Sequence, residues 1–79
     1  MAFNPFRPAA PAMRAHVIRI IGPVSAHRFA VLATDAGEAL AAVVADLGHS
    51  EIAEVTGDVL VPAAAASLGL EPGQPLRLA

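Results

Sequence analysis

The chain has 79 residues, no cysteine and a formal net charge of −2. That length admits one domain with a marginal core, since a chain this small buries only about 60% of the surface it exposes when unfolded. The missing thiols exclude a disulfide framework and a thiolate zinc site, and no apolar run reaches the roughly 20 residues of a membrane helix.

Residues 1–14, MAFNPFRPAAPAMR, read as an extended arm ahead of a domain at 15–79. They lack the apolar h-region of a signal peptide, so secretion by that route is not expected; the location is left open, with virion or cytoplasm favoured. Pro5, Pro8 and Pro11 recur every third residue, the period of a polyproline II helix, and the same spacing puts Phe3 and Phe6 on one edge. An extended ribbon has no interior, so two phenylalanines on it need another surface, either their own domain or, ahead of it, a partner chain. Phe3, Pro5, Phe6, Arg7, Pro8 and Pro11 are therefore the candidate partner-binding residues. Arg7-Pro8-Ala9-Ala10-Pro11 also holds a PxxP pattern, which any Pro/Ala-rich stretch yields by chance.

Two strands are expected next. His16-Val17-Ile18-Arg19-Ile20-Ile21 is rich in β-branched residues and stops at Gly22-Pro23. Arg28-Phe29-Ala30-Val31-Leu32-Ala33 follows a six-residue loop and alternates, setting Phe29, Val31 and Ala33 on one face. The short link implies an antiparallel hairpin.

DAGEALAAVVADLGH then reads as an amphipathic helix. Asp35 and Glu38 have capping-box spacing, and Ala36, Ala39, Leu40, Val43, Val44 and Leu47 form a continuous apolar stripe. Gly48 is the expected C-cap, with His49 beside the negative end of the helix dipole. Beyond it, Ile52–Val55 is a third strand, Gly57-Asp58 a turn and Val59–Val61 a fourth strand. Pro62 opens a short helix ending at Gly69, and a type II turn at Pro72-Gly73 leads into a last strand at Pro75–Leu78. The expected order is β-β-α-β-β-(short helix)-β, an α+β fold.

That order resembles the β-grasp, or ubiquitin-like, fold, a mixed sheet around one helix. Val55-Thr56-Gly57-Asp58-Val59-Leu60-Val61-Pro62 with Leu70-Glu71-Pro72-Gly73-Gln74-Pro75-Leu76-Arg77-Leu78 is similar to the second half of ThiS/MoaD-type sulfur-carrier proteins. Gly57, Pro62, Leu70 and Gly73 match that pattern; Thr56 and Gln74 replace its Asn and Asp. Such carriers are activated at a terminal Gly-Gly, and this sequence ends Arg77-Leu78-Ala79, so the resemblance implies the fold without the carrier chemistry. The first half, a hairpin leading into Asp35-Ala36-Gly37-Glu38-Ala39-Leu40, is similar to the β-grasp domain of the lambda-type phage tail-assembly protein. Gly57–Pro62 with Leu68–Leu76 also resembles the swapped-hairpin DNA-binding domains of AbrB-like regulators. Where those carry basic residues this chain has Ala63-Ala64-Ala65-Ala66-Ser67, and DNA affinity needs cations on phosphate.

Side chains that could react are few. His16, His27 and His49 have no metal-ligand spacing, and Ser25, Ser50 and Ser67 have no base placed by sequence; His49-Ser50 adjacency does not make a triad. Glu51 and Glu54 lie on an expected exposed strand. The glycines fall singly at turns, with no phosphate-cradling run, and no Trp or Tyr offers a stacking platform. No catalytic, metal or cofactor-binding residue is therefore expected, and nucleic acid, membrane and small molecules are not expected partners. Charge is uneven: Arg7, Arg14, Arg19 and Arg28 stand over residues 1–34 with no acid, whereas 35–79 carry seven acids against Arg77. Such polarity fits head-to-tail association or a partner of mixed charge, and equally a small surface that is simply lopsided. The expected function is a non-enzymatic interaction or structural subunit of a larger assembly, such as a phage virion or tail, with a degenerate sulfur-carrier relative second and an AbrB-like DNA binder third.

Overall fold

The computed structural model describes residues 12–78. Phe3, Pro5, Phe6, Arg7, Pro8 and Pro11 lie outside them. In chain order the elements are β1 (Arg14–Ile21), β2 (Ala26–Ala33), α1 (Ala36–Val44), β3 (Ile52–Leu60), α2 (Pro62–Ser67) and β4 (Leu76–Arg77). The strands form one four-stranded sheet in the order β3-β1-β2-β4. The domain is α+β, with α1 against the sheet, as the sequence leads one to expect.

The sheet corrects two details of that expectation. Its ladders are all antiparallel, where a mixed sheet was expected; the parallel contact found among the described residues is a single bridge between Leu32 and Pro72. Among the described residues it also has four strands and not five, because the segments expected as separate strands at 52–55 and 59–61 merge into one strand that ends at Leu60. Gly57, at φ 85°, does not reverse the chain. It sits in a bulge, with Ile18 opposite Val55 and His16 opposite Val59, so that β3 carries extra residues between the two pairs. Thr56 pins the bulge: its Oγ1 donates to Val17 O at 2.9 Å and accepts from Asp58 N at 3.1 Å.

The β1–β2 hairpin runs in unbroken register from Arg14 opposite Ala33 to Ile21 opposite Ala26. That pairing draws Arg14, Ala15, Ala26 and His27 into strands that their own propensities would not extend. The turn is correspondingly short, closed by Gly22 N donating to Ser25 O at 2.9 Å.

The expected N-cap of α1 is present, Asp35 Oδ1 accepting from Glu38 N at 2.7 Å. Glu38 Oε2 accepts from the Thr34 hydroxyl at 2.6 Å, where a capping box would turn that carboxylate back to the N-cap amide. The other end departs from expectation. The helix stops at Val44, with Ala45 and not Gly48 as C-cap. Asp46 N and Leu47 N bond to Val43 O and Val44 O, short-span bonds that tighten and finish the last turn. Gly48 instead gives its amide to Glu51 Oε1 at 2.7 Å, and His49 lies past the helix, away from its last turn.

Ile18 and Val31 are fully buried at the centre of the core, with Ile20, Ala33, Ala39 and Val43 around them. By strand alternation Ile18, Ile20, Val31 and Ala33 share the sheet face that α1 covers. The other face is buried at Ala15, Val17 and Ala30, and α2 contacts β1. The helix stripe is rotated slightly from expectation: Val44 is half exposed, whereas Ala42 packs on the core. The turn at Glu71–Gln74 is type II as expected, with Gly73 at φ 73° and Gln74 N bonded to Glu71 O at 3.1 Å.

Candidate functional site

The structure separates the three histidines. His16 lies in β1, and its Nε2 is buried without a hydrogen-bond partner among the described residues. His49 is exposed beyond α1 beside exposed Ser50. Ser67 Oγ donates to Ala63 O at 3.0 Å, which commits it to its own helix. Among the described residues no three metal-ligating side chains come together.

One contact was not visible in the sequence. Arg77 Nη2 lies 2.9 Å from His27 Nδ1, and Ser25 Oγ lies 3.2 Å from His27 Nε2. A guanidinium can only donate, so a hydrogen bond here uses Nδ1 as the acceptor, the tautomer that leaves Nε2 to donate toward the serine. A base that activates serine needs the opposite arrangement, a bare Nε2 at the hydroxyl and a carboxylate behind Nδ1. This chain of contacts ties Arg77 of β4 to the start of β2, with an arginine where a triad would place its carboxylate. The sequence offered no signal for it, because Arg77 is fifty residues away from His27.

A cavity of about 330 Å³ opens beside this cluster. Its origin is geometric. The nine residues of α1 span only about 13 Å, whereas the eight of β1 span about 26 Å, so the helix gives out before the sheet does. Ile20, Phe29, Val43 and Pro75 give the cavity apolar walls; His27, Asp46, Glu51 and Gln74 supply its polar lining. Glu51 is held in place by the Gly48 amide.

The second feature is the outer edge of β3. This nine-residue strand ends the sheet on one side, so one row of its backbone groups has no strand partner among the described residues. Ile52 is 66% exposed and Val61, just beyond the strand, 65%; Val55 and Val59 between them are also exposed. A hollow of about 370 Å³ lies at the strand's far end, lined by Arg14, Val59, Leu60, Val61 and Pro62. The bulge at Gly57 breaks the edge into two shorter runs. Glu54, facing Arg19 on β1, forms a salt bridge with it, Nε donating to Oε1 at 2.6 Å. Glu54 and Asp58 make this strand acidic.

No family model matches the chain, no curated protein matches it, and no solved structure matches it. No helix among the described residues is long and apolar enough to cross a membrane.

Proposed function

We propose that the domain is a non-enzymatic interaction module that joins a larger assembly through the open edge of β3. One observation carries this reading: a nine-residue edge strand with Ile52, Val55 and Val59 exposed, continuing into exposed Val61. A partner strand laid along it would satisfy the free backbone row, and its side chains would cover the valines. The resemblance to the β-grasp domain of a phage tail-assembly protein supports a minor subunit of a virion or tail as the kind of assembly. It supports that role through shared parts, a hairpin and a helix over a sheet, and not through carrier chemistry.

Charge disfavours one register of self-pairing. Two β3 strands paired antiparallel about Thr56 would place Glu54 opposite Asp58 twice, and like charges directly opposite are destabilising. A neutral or basic strand from another protein avoids that clash. The test is site-specific photo-crosslinking in the source cell. A photoreactive side chain at Val55 or Val59 should trap one discrete protein, the same group at exposed Ala41 on α1 should not, and Val55→Lys should release it. Crosslinks at β3 no stronger than at Ala41 would end this reading.

A further inference from the structure

The cavity at the end of α1 and the arm of the chain have complementary chemistry. Ile20, Phe29 and Val43 offer apolar walls, and Asp46 and Glu51 add two carboxylates. The arm carries Phe6 directly followed by Arg7, and has no acid. We infer that Phe6-Arg7 of one copy docks in this cavity of a second copy, the phenyl ring against Ile20, Phe29 and Val43 and the guanidinium on Asp46 and Glu51. The planar fork of arginine suits carboxylate oxygens, and an aromatic ring beside it supplies large apolar area at small entropic cost. Orientation follows from the rest of the lining: His27 is already tied to Arg77, so that side carries a cation and the carboxylate side receives Arg7.

The domain's own arm would have to double back along β1 at nearly full stretch. Arg14 opens β1 and Ile20 lies six residues on, about 20 Å away along a strand. Phe6 precedes Arg14 by eight residues, about 25 Å at full polyproline II extension. That leaves almost no length for the immediate reversal the path requires, and Pro8 and Pro11 resist reversal. A second copy meets no such limit. The contact pairs unlike surfaces, arm on one chain and cavity on the other, so it is heterologous and can build rings or rows. It uses neither β3 nor its exposed valines, and Val55→Lys is expected to leave it unchanged, which keeps its failure distinct from failure of the β3 reading.

The experiment is sedimentation velocity on the full chain over a concentration series, with thermal unfolding as the folding control. Wild type should self-associate. Phe6→Ala disables the arm and Asp46→Arg, at an exposed position, disables the cavity; each alone should weaken association at least about tenfold. An equimolar mixture of the two variants should regain a single heterodimer that grows no further, because one live arm meets one live cavity. Misfolding of either variant cannot produce that recovery. Wild type that stays monomeric up to about 1 mM, a variant that associates like wild type, or a mixture that recovers nothing would overturn the inference.

Discussion

Asp35 holds the start of α1 through one hydrogen bond, Oδ1 to Glu38 N at 2.7 Å. Asp35→Ala should therefore cost about 1 kcal/mol, read as a lower urea midpoint with an unchanged slope. Gly73 is held at φ 73° while its amide donates to Leu32 O at 2.9 Å, tying the turn to β2. Gly73→Ala puts a Cβ in the left-handed region and should cost about 1–2 kcal/mol by the same assay. His16 should behave oppositely. Its Nε2 is buried and unpartnered among the described residues, so His16→Leu exchanges an unsatisfied polar atom for methyl groups and should stabilise by about 1 kcal/mol. A loss of stability there would mean that the ring has a partner. The cap and the turn were legible in the sequence because each depends on residues within four positions. The state of His16 was not, since it depends on long-range pairing that sets Val31 on one side of it and Val59 on the other.

At the scale of elements, the hairpin and the N-terminal start of α1 could be read from periodicity and breakers. The unity of β3 could not. Gly57-Asp58 has the composition of a turn, and it becomes a bulge because β1 is long enough to pair with the residues on both sides of it. Long-range pairing overrides local turn preference at that point. The end of α1 was misplaced for a related reason: Gly48 reads as a cap until Glu51 is seen to take its amide. Core and edge should respond differently to substitution. Ile18→Ala, at a fully buried site, should cost about 2–5 kcal/mol. Val55→Lys, at a position left 42% exposed by the open edge of β3, should leave the melting temperature nearly unchanged while abolishing partner capture. A Val55→Lys chain that unfolds would place Val55 in the core and remove the edge as a docking surface.

For the whole molecule, the cavity draws on β1, β2, α1 and the segments around Glu51 and Gln74, and no local pattern could have announced it. The charge polarity was visible in the sequence; the fold turns it into places, two carboxylates lining a cavity that also has apolar walls and an acidic edge strand. Both proposed contacts use exposed surface and leave the packed centre around Ile18 and Val31 untouched. Hydrogen exchange on the free chain and on the assembly isolated from its source tests the central claim most directly. Alternate β3 amides, those facing away from β1, should exchange quickly in the free chain and slow at least about tenfold in the assembly, while the amides between β1 and β2 stay unchanged. An assembly in which those edge amides exchange as fast as in the free chain would contradict strand addition at β3.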